Sequence, residues 1–247
     1  MLNKNMKINQ NWLNTWENKS VKNSSDTELL SQLIEADGYS GGAGSYSEKE
    51  WRKMCKHFGE LIGLSKSDKI LEIGCGSGAF LLVLKEYFQC QIYGVDYSDS
   101  LIKIAKKHLS GEFIHAEAIE PDKFDESFDF IVSNSVFQYF PSIDYACMVI
   151  QKSSEILRDS GVIAILDIND KSKEGSYHSS RKLLHSNPES YDLLYKDHPH
   201  LFYSKQEIIN MLTDNGFHNI QFFDHYSKSY ENAKFRFNVI AEKKDRF

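Results

Sequence analysis

The stretch Lys69-Ile70-Leu71-Glu72-Ile73-Gly74-Cys75-Gly76-Ser77-Gly78-Ala79-Phe80 decides how the chain folds. Ile70, Leu71 and Ile73 make an apolar run of a buried strand's length, and Ala79 to Phe88 reads as a helix. Between them lie three glycines at alternate positions. Glycine there permits positive φ and lets a ligand approach the backbone without meeting a Cβ. Free N–H groups and the dipole at the start of the helix favour an anion. The turn is therefore expected to hold something small, partly anionic and close to the backbone. The same residues satisfy a dinucleotide fingerprint, Gly74-x-Gly76-x-x-Ala79, which alone is a weak signal.

Working outward, a second strand, Gln91 to Val95, ends in Asp96, about 20 residues on, where a ribose-binding carboxylate belongs. Phe113-Ile114 then leads to Ala116-Glu117-Ala118, another acid at a strand end. Glu72-x-Gly74-x-Gly76-x-Gly78, Gly94-Val95-Asp96-Tyr97-Ser98, Ala116-Glu117-Ala118 and Phe128-Asp129-Phe130-Ile131-Val132-Ser133-Asn134 stand in order. Together they resemble the class I S-adenosylmethionine-dependent methyltransferases. The resemblance is close from Leu61 to Ile168 and loose elsewhere, and it departs at Glu117, where the family more often has Asp.

The resemblance implies S-adenosyl-L-methionine as cofactor. By it, Glu72 would take the amino group, with Gly74, Cys75, Gly76 and Gly78 at the methionine end. Asp96, with Tyr97 beside it, would take the ribose, Glu117 and Ala118 the adenine, and Ser133 would lie near the reactive methyl. Plainer roles stand beside these: Asp96 as a helix cap, Glu117 as a solvated acid, Phe137 and Tyr139 as core.

At 247 residues the chain suits one well-buried α/β domain. A net charge of −6 and a pI near 5.9 argue against a nucleic-acid partner. Cys55, Cys75, Cys90 and Cys147 are scattered, without metal spacing or a disulfide framework, so reduced thiols in a cytoplasmic protein are expected. Met1 to Trp16 is polar, with no signal-peptide core. The aliphatic run Val162 to Leu166 is too short to cross a membrane.

The expected fold is α/β, doubly wound, with a mostly parallel seven-stranded sheet and a helical N-terminal cap. Residues 1–64 form the cap and lid, and 65–247 a Rossmann-like domain with an insertion at 170–203. Ser25-x-x-Glu28, Ser47-x-x-Glu50 and Ser204-x-x-Glu207 are capping boxes. The glycine-rich loop Asp37 to Tyr46 is either a lid over the cofactor or a solvated connector. Strands are expected near 69–74, 91–95, 112–115, 128–134 and 161–168, then Phe217 to Phe223 and Phe235 to Ala241. Helices are expected near 79–88, 99–109 and 143–158. Such alternation implies ligands at the strands' carboxyl ends.

On the acceptor side, candidate bases are His200, His225, Asp167 and His115, in falling order. Tyr139, Tyr226, Tyr230 and Arg236 are candidate acceptor contacts, Arg236 for an anionic group unless it makes an ion pair instead. His198-Pro199-His200 lacks the spacing of a metal site. The expected activity is O-methylation of a small polar molecule: a sugar, phosphate or carboxylate. A loose resemblance extends to members that modify surface-polysaccharide precursors. An NAD-dependent oxidoreductase and a non-catalytic S-adenosylmethionine-binding protein are the alternatives. The partner is a small-molecule acceptor, with neither nucleic acid nor membrane.

Overall fold

The structure is a computed structural model that describes residues 7–21, 28–40, 44–184, 188–227 and 229–245. Strand β1 (Lys69–Ile73) lies inside the sheet, parallel to β2 (Gln91–Asp96) on one side and β4 (Phe128–Asn134) on the other. β3 (Glu112–His115) extends the first side and β5 (Leu157–Asn169) the second, both parallel. β7 (Arg236–Lys243) runs antiparallel to β5, and β6 (Phe217–Phe223) antiparallel to β7. The order is β3-β2-β1-β4-β5-β7-β6, a mostly parallel seven-stranded sheet as the alternation implied. Strand order reverses at β1, and ligand crevices open at such a point, outside the carboxyl ends.

The pleat of β1 sorts its side chains between two cores. Ile70 joins the core formed with α2 (Leu29–Ala36), α3 (Glu48–Leu61), α4 (Ala79–Phe88) and α5 (Asp99–His108). Leu71 and Ile73 join the opposite core, with α6 (Ile143–Ile156) and α9 (Lys205–Asp214). Successive side chains alternate, so Glu72 shares the Ile70 face and turns its carboxylate toward the N-terminal helices. Trp51 fastens α3 to this face. Its indole is 1% exposed, and its Nε1 donates to the Ala79 carbonyl at 3.1 Å. Truncation to alanine would cost about 3–5 kcal/mol.

Ser204 and Glu207 form the expected reciprocal cap on α9, and Ser47 accepts from the Glu50 N–H at the start of α3. The Ser25 box and residues 41–43 of the glycine-rich loop lie outside the described residues. One boundary moves. α6 ends at Ile156 and β5 begins at Leu157, because Leu157 pairs with Phe128 ahead of a register shift in β4. The insertion is α7 (Glu174–Leu184) followed by α8 (Pro188–Asp197). The N-terminal region adds α1 (Gln10–Glu17), whose Asn9 side chain caps the N–H groups of Asn11 and Trp12. No described helix is long and apolar enough to cross a membrane.

Candidate active site

A cleft with a cavity volume of about 170 Å³ opens at the carboxyl ends of β1, β2 and β4. Its floor is the glycine turn. Gly74 and Gly76 have φ of +74° and +53°, and both lie against side chains. A Cβ on Gly74 would strike Val136, and one on Gly76 would strike the Asp37 carboxylate. The turn is held to β2 by the Gly74 and Cys75 N–H groups, which donate to the Val95 carbonyl at 2.8 and 3.1 Å.

Three carboxylates face this end of the cleft. Asp96 accepts from the Gly76 N–H at 2.9 Å and the Ser98 N–H at 2.8 Å, and burial pushes its pKa up to about 6. Glu72 is 3% exposed, and its Oε2 has no hydrogen-bond partner among the described residues. Burial, then the charges of Asp37 and Asp96, raise Glu72 well above the usual carboxylate range. Asp37 follows α2 and accepts from the Ser77 N–H at 2.6 Å and the Ala79 N–H at 3.3 Å. Burial pushes it up to about 7. A buried acid with an orphaned oxygen calls for a cation or a donor. The ammonium of an amino-acid nucleoside fits that requirement, and the accepting oxygens of Asp96 fit ribose hydroxyls.

Further along, Tyr97, Leu101, Ala118, Phe140 and Tyr145 form an apolar wall suited to a flat base. Glu117 stands behind it, accepting from the Tyr145 hydroxyl at 3.2 Å. Ser133 is buried beneath the cleft, donating to the Ile73 carbonyl at 3.1 Å, and Gly78 packs toward Leu109.

The roof is α1, part of the N-terminal segment expected to cap the domain, though the sequence did not mark out the residues that do so. Trp16 lines the cleft, and its carbonyl accepts from the Ser98 and Ser100 hydroxyls, both at 3.2 Å. Glu17 accepts from the Asp99 N–H at 2.9 Å, capping α5. At the other end Trp12 stacks on His200 with ring centroids 4.9 Å apart and donates to the Pro199 carbonyl. The signal lay in two tryptophans four residues apart within an otherwise polar stretch.

The other end of the cleft, where the acceptor contacts were expected, presents Tyr39, Asn134, Ser135, Tyr139, Tyr230, Asn232 and Arg236. Arg236 is paired with Asp167, the two side chains being 5% and 1% exposed, so the ion pair considered for it exists but is buried. The guanidinium also donates to Ser135 Oγ at 3.1 Å, while its Nε has no partner among the described residues. Asp167 accepts from the Tyr230 hydroxyl at 3.1 Å, and Asn238 Oδ1 receives the Asp167 N–H at 2.7 Å. Ser135 and Asp167 both have positive φ, +60° and +59°. Backbone strain of this kind, about 1–3 kcal/mol each, gathers at functional sites.

The candidate bases stand back from the cleft. His200 lies beneath Trp12 and Tyr139, and burial with the nearby Arg236 charge pushes it down to about 3. His225 sits behind Asp167, 3.9 Å from its Oδ1, and burial lowers it as well. His115 is half exposed, its Nε2 3.0 Å from the Tyr97 carbonyl. Tyr226 departs from its expected place, being 47% exposed and stacked on His57 outside the cleft.

The profile of the methyltransferase domain family matches residues 44–222. A malonyl-[acyl-carrier protein] O-methyltransferase of Geobacter sulfurreducens is 28% identical over 161 residues, covering 63% of this chain and 58% of that protein. One from Bacillus cereus is 31% identical over 124 residues, covering 47% and 46%. The chain thus spans about half the length of the named relatives it matches. Among solved structures, geranyl diphosphate C-methyltransferase from Streptomyces coelicolor aligns at 9% identity over 99% of both chains, TM-score 0.63. Magnesium protoporphyrin IX methyltransferase from Synechocystis, with bound S-adenosylmethionine, aligns at 12% identity over 95% and 92%, TM-score 0.58.

Proposed function

From the premise that this chain belongs to the class I S-adenosylmethionine-dependent methyltransferases, we propose that it methylates a carboxylate oxygen of a small acid, forming a methyl ester. Family membership sets aside the nicotinamide alternative and makes S-adenosyl-L-methionine the cofactor. Glu72 would hold its ammonium, Asp96 its ribose, and the wall containing Ala118 its base. When bound, it supplies a methyl group already activated as a sulfonium.

One observation carries the choice of acceptor: the described residues at the acceptor end include no free base. No histidine among the described residues lines the cleft. Asp167 is held through Oδ2 by the Arg236 guanidinium and the Tyr230 hydroxyl, which keep it paired, and its Oδ1 lies buried 3.9 Å from His225, away from the cleft lining. Burial pushes Tyr139 up to about 12 and holds Tyr39 well above its ordinary value. A sugar hydroxyl would need its proton removed there. A carboxylate arrives as a competent nucleophile, and Arg236 with Ser135 and Asn134 offers it donors. The malonyl acceptor in the relatives' names also carries a carboxylate, which supports the reading. Positioning then supplies much of the acceleration. Arg236 orients the acceptor, and Trp16 with the tyrosines excludes water.

The test is incubation with methyl-labelled S-adenosylmethionine and a panel of small acids, free and thioester-linked, beside sugar nucleotides and phosphate esters. A methyl ester releases volatile methanol in mild alkali. Label retained through alkali in a sugar ether, with no acid methylated, would overturn the proposal.

A further inference from the structure

The start of α4, which the sequence marks as the natural seat for an anion, already holds one from its own chain. Asp37 reaches it from the end of α2, with the Ser77 N–H at 2.6 Å and the Ala79 N–H at 3.3 Å on its two oxygens. Its carboxylate lies so close over the turn that a Cβ on Gly76 would overlap it. The adjoining carboxylates are Glu72 and Asp96, and Glu72 keeps an unpartnered oxygen although 97% of the residue is buried (3% exposed). Arg236 is the one lysine or arginine among the described cleft residues, and it belongs to the acceptor end.

These facts set the charge requirement of whatever enters. A ligand ammonium meets the orphaned Glu72 oxygen and a second carboxylate, whose negative charges attract it strongly in a partly dehydrated cleft. A ligand carboxylate meets a backbone cradle that is filled and a like charge beside it. We infer that Asp37 makes this a site that recognises the cofactor by its α-ammonium and gains nothing from its α-carboxylate. Asp37 is thus a specificity residue for the donor, one that neither the glycine fingerprint nor the strand-end acids disclose. The inference rests on assigning the cleft to S-adenosylmethionine.

Calorimetry at pH 8, above the values of about 7 for Asp37 and about 6 for Asp96, tests it with three ligands. These are S-adenosylhomocysteine, its analogue lacking only the carboxylate, and its analogue lacking only the amino group. In the unaltered protein, removing the carboxylate is expected to weaken binding by less than about threefold, whereas removing the amino group weakens it by about a hundredfold. In Asp37→Asn, S-adenosylhomocysteine is expected to gain about tenfold relative to the decarboxylated analogue. A loss of threefold or more on removing the carboxylate from the unaltered protein's ligand overturns the inference. So does an unchanged ratio in Asp37→Asn. Failure of all three ligands to bind removes the cofactor assignment itself, an outcome distinct from either. The first comparison needs no variant and stands even if Asp37→Asn folds poorly.

Discussion

The Asp167 carboxylate and the Arg236 guanidinium form an ion pair that is nearly sealed from solvent, at the end of the cleft proposed to take the acceptor. Removing one member leaves the other charge buried and unpaired, at a cost of about 3–5 kcal/mol. Arg236→Ala should therefore lower the melting temperature as well as activity. Arg236→Lys keeps the charge but loses the planar fork. Steady-state kinetics of Arg236→Lys should show the acceptor KM raised about tenfold with cofactor affinity unchanged; an unaltered KM would exclude the contact.

Asp96 accepts two backbone N–H groups while facing the cleft, so on the proposed assignment one carboxylate both shapes the turn and receives the ribose. Asp96→Asn should weaken S-adenosylhomocysteine binding by about 1.5–3 kcal/mol, the range for a hydrogen bond to a charged acceptor. Titration calorimetry measures this directly. Unchanged affinity would remove the assigned role.

Burial raises the pKa of Asp37 from 3.8 to about 7 in the folded protein, so folding favours its protonated form. Its contribution to stability is full below about pH 4 and is lost as pH climbs through about 7. Asn at this position cannot ionise. The melting temperature of Asp37→Asn relative to the unaltered protein should therefore rise by several degrees between about pH 4 and pH 7, then level off. A flat difference across that window would contradict the burial of the charge.

Trp12 joins α1 to the insertion through its stack on His200 and its bond to Pro199. Trp12→Ala should speed amide hydrogen exchange across Gln10–Glu17 by about tenfold or more and hasten cofactor dissociation, while exchange in β1 stays as it was. Equal exchange in the two proteins would show that α1 is held by other contacts.

Much of the cofactor end is legible in the chain, because its parts are local. Glu72, the glycines and Asp96 each sit at the end of a strand whose apolar run announces it, and the sheet brings those ends together by topology alone. The acceptor end and the roof are assembled from residues far apart in sequence. Trp12 and His200 meet across 188 positions, and Ser135 meets Arg236 across 101. No periodicity encodes such meetings. Asp37 was hidden for another reason: an acid before Gly38, just past a helix, has the composition of an ordinary turn. Its capture by α4 depends on where α2 packs.

α1 is tied by Glu17 to the start of α5 and by Trp12 to His200 beside the insertion, so one short helix spans both ends of the cleft. On the proposed assignment, donor and acceptor would share a single latch, and the spent nucleoside and the methylated product would leave together when α1 lifts.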